Sequence, residues 1–160
     1  MSIGKFNFVS LIQFNKDSNM NINQETYNTF ILPKRSTKQS AGYDFYIPYD
    51  LVIKSKETHL IYTCIKACIQ SDYVLSIYPR SSLGFKYKLQ LDNTVGIIDA
   101  DYQYAENEGH IMIKLTNYSN DDLILNKGDR FVQGVFTKVY YVEEEDIINT
   151  RVGGLGSTDK

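Results

Sequence analysis

Residues 93–102 read Asn93-Thr94-Val95-Gly96-Ile97-Ile98-Asp99-Ala100-Asp101-Tyr102, an apolar run followed by two carboxylates. A glycine in such a run marks a place where the backbone turns sharply or approaches a ligand closely. The carboxylates at its end can supply a general base or bind a hard cation, directly or through water. The stretch therefore predicts a functional site at which the backbone turns sharply or approaches a ligand closely.

Four further stretches share this concentration of glycine and polar side chains. Together with residues 93–102 they hold eight of the ten glycines, and they span residues 41–45, 79–84, 128–134 and 151–158. Arg80, Ser81 and Ser82 offer a planar cation, two hydroxyls and N–H groups at the start of a helix, which is the chemistry of a phosphate cradle. A second set of phosphate donors lies in the last stretch, at Arg151, Ser157 and Thr158. The Walker A spacing is absent from the sequence, so these sets predict a different kind of phosphate site.

The periodicity of the chain predicts an all-β fold. Tyr and Phe are abundant, and short runs alternate between apolar and polar residues, which favours strands. The predicted strands cover residues 65–69, 73–78, 111–115, 123–125, 131–136 and 138–142. We also expect one N-terminal strand with Phe6, Phe8, Ile12 and Phe14 on one side, then a solvated loop over 15–28 and a run at 29–32. One short helix is predicted near 81–88, opened by a serine that could cap it.

Length and composition predict a single soluble domain. The chain has 160 residues and a formal net charge of -2, so no basic surface predicts direct nucleic-acid binding. The apolar runs are too short for a membrane span, and the start has no signal-peptide pattern, so we expect a cytoplasmic protein. Cys64 and Cys68 would lie roughly 13 Å apart on a strand, too far for a disulfide. We place the domain at 1–150 and a flexible glycine-rich arm at 151–160.

In their order and spacing, the five stretches resemble the motifs of the trimeric dUTP pyrophosphatases (dUTPases). The resemblance runs from about residue 29 to 158, and its most specific parts are GIIDADY after Asn93 and PRSSLG at 79–84. It implies a dUTPase-like β jelly roll (β-clip) that forms a homotrimer and exchanges the C-terminal arm between subunits. The related dCTP deaminases share the fold and the RSS sequence. They would need an arginine after Leu83 and a later glutamate, so deamination is disfavoured.

The resemblance implies hydrolysis of dUTP to dUMP and pyrophosphate, with Mg²⁺ on the triphosphate. This activity limits uracil incorporation into DNA and supplies dUMP. Asp99 matches the carboxylate that orients and deprotonates the attacking water, and Asp44 matches a residue that approaches the metal through ordered water. Each site would take the third motif from one chain, the first, second and fourth from another, and the arm from the third chain.

The resemblance also assigns the substrate contacts. Arg80, Ser81, Ser82 and Gln133 match the residues that hold the phosphates, and Tyr102 matches the aromatic that packs on deoxyribose. The uracil pocket corresponds to Asn93, Gly96, Ile97, Ile98, Ile111 and Met112. The arm supplies Arg151, Leu155, Gly156, Ser157 and Thr158.

Two departures from the family pattern stand out. Leu155 replaces the aromatic that stacks over uracil, which predicts a weaker substrate complex with the chemistry retained. The link between Tyr102 and Gly109 is extended by residues 103–108. This extension is either a neutral surface loop or a functional loop that makes subunit contacts or modulates substrate access. Two other readings remain open: a regulatory protein that uses the nucleotide as a switch, and a purely structural jelly roll, which gives no reason for the five motifs.

Overall fold

The computed structural model describes residues 2–143 and Gly153, and in this part of the chain β-strands predominate. The strands are β1 Gly4–Phe8, β2 Lys34–Arg35, β3 Tyr43–Tyr46, β4 Leu51–Ile53, β5 Thr58–Tyr62, β6 Ile65–Ile69, β7 Tyr73–Pro79, β8 Leu89–Leu91, β9 Gly96–Ile98, β10 Met112–Asn117, β11 Leu123–Leu125 and β12 Arg130–Lys138. The helices are α1 Leu11–Ser18, α2 Gln24–Tyr27 and α3 Ser81–Tyr87, with a 3₁₀ turn at Ala100–Tyr104. The expected all-β architecture is confirmed.

The strands pair antiparallel in four sheets. The largest has the order β2-β3-β12-β7-β9, a second has the order β5-β10-β8, and β1-β6 and β4-β11 form two-stranded ribbons. A register shift between Arg130 and Val132 turns both Phe131 and Val132 into the core and sets Gln133 opposite Asp44. The bulge thereby aligns two side chains that belong to different motifs.

The main core lies between the two larger sheets and the ribbons. Its fully buried members are mostly β-branched and aromatic residues that alternate along their strands, as in β6, where Ile65, Ala67 and Ile69 point inward. Strand β9 is an edge strand of the five-stranded sheet, paired with β7 on one side. The packing therefore leaves the backbone of the motif at 96–98 at the border of the core.

The N-terminal expectation was wrong after Phe8. Strand β1 ends there, and Ser10 begins helix α1 by accepting a hydrogen bond from the Gln13 N–H at 3.0 Å. Phe14 consequently lies on a helix, fully buried, whereas Ile12 is 82% exposed. The spacing of a serine followed three residues later by glutamine is a helix-start pattern, and it was the signal that could have found α1.

The solvated loop expected over 15–28 is instead a folded segment with two helices. Its asparagines satisfy the backbone: Asn23 caps α2, Asn19 ends α1 in the left-handed conformation, and the Asn15 side chain bonds both the N–H and the C=O of Ile22. The asparagines of this segment therefore cap helices and bond the backbone, and they do not mark a solvated loop. No strand forms at 29–32 in the described residues, where Phe30 packs on Phe14.

Three smaller expectations also have outcomes. The helix near 81–88 is confirmed as α3, but Arg80 occupies its N-cap position and makes no side-chain cap bond. The strand expected at 138–142 was wrong, because β12 ends at Lys138 and Tyr140 is 84% exposed. Both cysteines are free thiols, as expected.

Among the described residues, we find no helix with the length and apolar character needed to cross a bilayer.

A second, smaller core joins the N-terminal segment to the rest of the fold. Val9, Phe14 and Cys64 form its centre, and the fully buried His110 ring lies 6.0 Å from the ring of Phe14. His110 Nε2 accepts from the Cys64 backbone N–H at 3.0 Å, so the proton of the neutral ring is on Nδ1 and is donated to Asp17 Oδ2 at 2.6 Å. Burial lowers the pKa of His110, against the opposing effects of Asp17 and Glu108.

We expect this histidine to make the fold less stable as the solution becomes mildly acidic. The unfolded chain takes up a proton near the ordinary value of 6.5, while folded His110 stays neutral to lower pH, so the free energy of unfolding falls as pH drops below 6.5. The titratable groups around the ring are Asp17, Glu108, Cys64 and Tyr62. Hydrogen bonds from Ser10 and the charge of Lys66 outweigh desolvation and lower the pKa of Glu108, so its contribution is lost only below its ordinary value of 4.5.

Chemical denaturation at a series of pH values measures this effect. The parent should lose stability between about pH 7 and about pH 5.5, and His110→Gln should show a shallower slope over the same interval. Equal slopes for the two proteins would show that the buried histidine does not govern acid sensitivity.

Candidate active site

The first candidate site is a polar cavity of about 350 Å³ beside the start of α3. Strands β3 and β12 supply its floor, and the chain leaving β7 supplies Arg80 and the first residues of α3. Its lining consists of Ser36, Gly42, Asp44, Arg80, Ser81, Ser82 and Gln133. Four residues expected to hold phosphate, Arg80, Ser81, Ser82 and Gln133, are thus brought together.

Asp44 organises the charge of this polar cavity. Its carboxylate accepts from the Arg80 Nε–H at 3.0 Å, from the Arg130 Nη1–H at 3.2 Å and from the Ser36 hydroxyl at 2.6 Å. The Asp44 side chain is 9% exposed, and those of Arg80 and Arg130 are 26% and 42% exposed. Two guanidinium groups around one carboxylate leave a net positive charge, which suits a polyanionic ligand.

The bonds of Asp44 bear on its expected role near a metal. Both of its oxygens already receive positively charged donors, and no group of three His, Cys, Asp or Glu residues with metal-binding geometry occurs in residues 2–143. The described residues therefore do not fit a protein-held divalent cation. Asp44 instead forms ion pairs with two arginines, Arg80 and Arg130.

The second candidate site is an apolar cavity of about 370 Å³ between the five-stranded and three-stranded sheets. The expected pocket residues Asn93, Gly96, Ile97, Ile98, Ile111 and Met112 all line it. Leu60, Ile77, Leu91, Asp92, Ile113 and Lys114 complete the lining. The six residues assigned to the uracil pocket therefore meet in one cavity.

The main chain of β9 is placed so that it can bond the polar edge of a flat ring in this cavity. Because β9 is an edge strand, its main chain bonds β7 through one side only, and the cavity borders Gly96, Ile97 and Ile98. Gly96 is needed for packing, since a Cβ there would lie 3.1 Å from the Cβ of Ile77. Ile111 uses both main-chain groups within the fold, donating to Ile65 O and accepting from Thr63. Base contacts through the main chain are therefore better placed on β9.

Asp99 follows the last residue of β9 directly, and it begins the 3₁₀ turn that carries Tyr102. The Tyr102 N–H donates to the Asp99 carbonyl at 3.1 Å. Tyr102 is 7% exposed, its hydroxyl donates to the His110 carbonyl at 2.8 Å and it accepts from Asn107 Nδ2 at 2.9 Å. It belongs to the main core and is absent from the described linings of both cavities, so its contact with a sugar stays a prediction.

The two cavities share no residue in their described linings. The expected arm residues Arg151, Leu155, Gly156, Ser157 and Thr158 lie outside the described residues.

Two residues that bond the Asp44 carboxylate beside the phosphate-binding residues were not predicted from the sequence. Ser36 lies outside the five motifs, and Arg130 lies in the stretch at 128–134; the pairing of β2 and β12 with β3 brings both to Asp44.

Comparison with known proteins identifies the fold and the chemistry. The dUTPase family model matches residues 28–159. The deoxyuridine 5'-triphosphate nucleotidohydrolase of Lactococcus lactis is 41% identical over 130 residues, covering 79% of this chain and 87% of that protein. The crystal structure of the Streptococcus mutans dUTPase superposes with a TM-score of 0.68 at 33% identity, covering 87% and 98% of the two chains. A dUTPase from phage phi11 of S. aureus, described with a structural Mg(II) ion, gives a TM-score of 0.67 at 20% identity, covering 92% and 98%. The chain therefore belongs to the dUTPase family of deoxyuridine 5'-triphosphate nucleotidohydrolases.

Proposed function

We propose that Asp99 is the general base of dUTP hydrolysis in this chain. In the proposed step, a water oxygen bonds to the α-phosphorus while the bond from that phosphorus to the oxygen bridging to the β-phosphate breaks. The water proton passes to the Asp99 carboxylate, and dUMP and pyrophosphate result. The observation that supports this role is the position of Asp99, directly after the strand that borders the apolar cavity. A carboxylate within hydrogen-bond reach lowers the barrier for attack by water.

The apolar cavity would bind the uracil and the polar cavity would bind the triphosphate. Main-chain groups of Gly96 to Ile98 and the Asn93 amide can pair with the polar edge of the base, while isoleucines cover its faces. Arg80, Ser81, Ser82 and Gln133 can donate to phosphate oxygens, with Asp44 fixing the Arg80 guanidinium. Together these contacts would hold the α-phosphorus in line with the water.

Mg²⁺ would enter as part of the substrate, bound to the triphosphate. The two guanidinium partners of Asp44 argue against direct ligation by this carboxylate. Any role for Asp44 near the metal would therefore pass through ordered water.

We propose further that each complete site is shared between subunits of a homotrimer. The separate linings of the two cavities support this, because a triphosphate and its base must be held by both sets at once. A neighbouring chain would bring its polar cavity to the Asp99 side of the first. The C-terminal arm would come from the third subunit and close over the nucleotide.

Deleting residues 151–160 tests the arm. We expect the shortened protein to remain a trimer while kcat/KM for dUTP falls about 100-fold, since the arm would supply phosphate donors and exclude water. Deletion of Asp159 and Lys160 alone, which lie beyond the last motif residue, should leave kinetics close to those of the parent. Size-exclusion chromatography and pyrophosphate release measure the two properties. A tenfold or smaller loss in the intact trimer would speak against an essential arm.

Pyrophosphate release from dUTP, dTTP, dCTP and UTP tests the substrate assignment. We expect dUTP to be hydrolysed with a kcat/KM at least about 100-fold above the other three, for a different reason in each case. Cytosine would leave groups that pair the polar edge of uracil without partners. The tight pocket beside Gly96 would leave no space for the 5-methyl group of thymine, and Tyr102 packed on the deoxyribose would leave no room for the 2′-hydroxyl of UTP. Ammonia release from dCTP should stay at background. Comparable rates with dTTP, or deamination of dCTP, would contradict the proposal.

A further inference from the structure

The first 27 residues of the chain lie outside the family match, yet residues 9–30 are folded around the smaller core, and Ser10 bonds the extension at 103–109. We call residues 9–30 the N-terminal clamp. Ser10 donates twice to Glu108, from its N–H to Oε2 at 2.8 Å and from its hydroxyl to Oε1 at 2.6 Å. Lys66 on β6 lies 3.6 Å from the same carboxylate. A residue outside the family match, Ser10, therefore bonds a residue of the extension, Glu108.

A second contact of the clamp is buried. Asp17 on α1 accepts the Nδ1 proton of His110, while the other ring nitrogen accepts from the Cys64 backbone N–H. The Cys64 carbonyl in turn accepts from the N–H of Val9 at the start of the clamp. Cys64 itself has a left-handed backbone with φ of 64°, which costs energy for a residue with a side chain and is held in place by these bonds. The ring of His110 is thus fixed from two sides.

His110 and the extension also contact the 3₁₀ turn that starts at Asp99. The carbonyl of His110 accepts from the Tyr102 hydroxyl, and Asn107 donates to that hydroxyl. Gly109 has φ of +73°, and a Cβ there would lie 2.8 Å from Tyr102 O and from Gln103 Cα. The backbone of the extension therefore packs directly on the backbone of the turn.

We propose that the N-terminal clamp positions the catalytic turn, with Asp17 and His110 as positioning residues that act on Asp99 through Tyr102. The inference rests on the proposed role of Asp99 as the general base. It gives residues 9–30 and 103–109 a shared purpose: to hold Tyr102 from behind, so that the carboxylate three residues earlier keeps its place beside the nucleotide.

Two substitutions of Asp17 separate positioning from folding. Asp17→Ala leaves the His110 Nδ1–H without its acceptor, and we expect kcat for dUTP to fall about 10- to 100-fold with little change in KM, since small misplacements of a catalytic group have effects of this size. Asp17→Asn keeps an acceptor oxygen and should recover most of the lost kcat. All assays are run on the full chain, well below the melting temperature of each variant.

Asn23→Ala is the matched control within the clamp. It removes the N-cap bond of α2 without touching Asp17, Glu108 or His110. Its melting temperature should fall, and kcat should stay within about twofold of the parent, because losing a cap lowers stability locally. A similar kcat loss in Asn23→Ala and Asp17→Ala would reduce the clamp to a folding element and overturn the proposal.

A double-substitution cycle tests the route through Tyr102. Tyr102→Phe keeps the ring and removes the hydroxyl that bonds His110. If both side chains act along one path, Asp17→Ala and Tyr102→Phe combined should lower kcat no more than the larger single change. If the double variant instead lowers kcat by the product of the two single-variant factors, the two side chains do not act along one path. The parent and Asp99→Asn are assayed together: an inactive Asp99→Asn with a fully active Asp17→Ala rejects the clamp alone, whereas an active Asp99→Asn rejects the proposed general base.

Discussion

Asp99→Asn should lower kcat for dUTP hydrolysis by about 10² to 10⁴, the usual contribution of a positioned general base. Asparagine keeps the size of the side chain and an acceptor oxygen but cannot take the proton of the attacking water at neutral pH. Substrate binding depends on other groups, so KM or the dissociation constant for dUTP should change less than about threefold. Steady-state pyrophosphate release and calorimetric titration with dUTP measure the two quantities.

Asp129→Asn is the control for this substitution. Asp129 is a carboxylate of another of the five motifs, at 128–134, but its side chain accepts from the Asn126 N–H at 2.8 Å and so fixes a turn. Asparagine can keep that acceptor, and we expect kcat to remain within about threefold of the parent. Equal losses in the two variants would mean that removal of any motif carboxylate harms the enzyme, and the specific role of Asp99 would lose its support.

Arg80→Ala should produce the second large effect, a fall in kcat/KM of about 100-fold or more, because an arginine contact to phosphate is charge-assisted and its removal also leaves a less positive cavity. Arg80→Lys should be intermediate, since lysine keeps the charge but not the planar fork of donors. The measurement is kcat/KM for dUTP at several Mg²⁺ concentrations.

Arg130→Ala gives the matched comparison. Arg130 bonds the same carboxylate of Asp44 as Arg80, yet it is absent from the described lining of the polar cavity. Its loss should cost less than about tenfold in kcat/KM, since exposed ion pairs contribute little. If Arg130→Ala is as damaging as Arg80→Ala, the arginines act through Asp44 and the fold rather than through phosphate.

The sequence predicted the structure best in two cases: where apolar and polar residues alternate strictly along a strand, and where the chemistry of a site requires particular residues. Strand β6 and strand β11 could be predicted because buried residues alternate with more accessible ones over their full lengths. Likewise, the residues that the family resemblance assigned to phosphate and to the uracil pocket could be named in advance, whereas other lining residues such as Ser36 and Leu60 could not. These predictions needed only local pattern and the family resemblance.

Contacts between distant segments could not be predicted in the same way. The alternation from Phe6 to Phe14 suggested one strand. The spacing of Ser10 and Gln13 is a local helix-start pattern, but the burial of Phe14 against Phe30, which favours the helix, is a tertiary contact. Arg130 reaches Asp44 only through the pairing of β12 with β3, with its bulge at Phe131. Asp17 finds His110 across 93 positions of sequence. Such pairings depend on tertiary packing, which a single sequence does not display.

The central claim is that Asp99 of one chain acts on phosphates held by Arg80 of another. Unfolding and refolding an equal mixture of Asp99→Asn and Arg80→Ala chains tests it most directly, with each variant refolded alone as the reference. Each variant alone should be nearly inactive. In mixed trimers, about a quarter of the sites should combine an intact Asp99 with an intact Arg80 from a neighbour, so pyrophosphate release should recover to about a quarter of the parent rate. A mixture that stays as inactive as its components would contradict the claim.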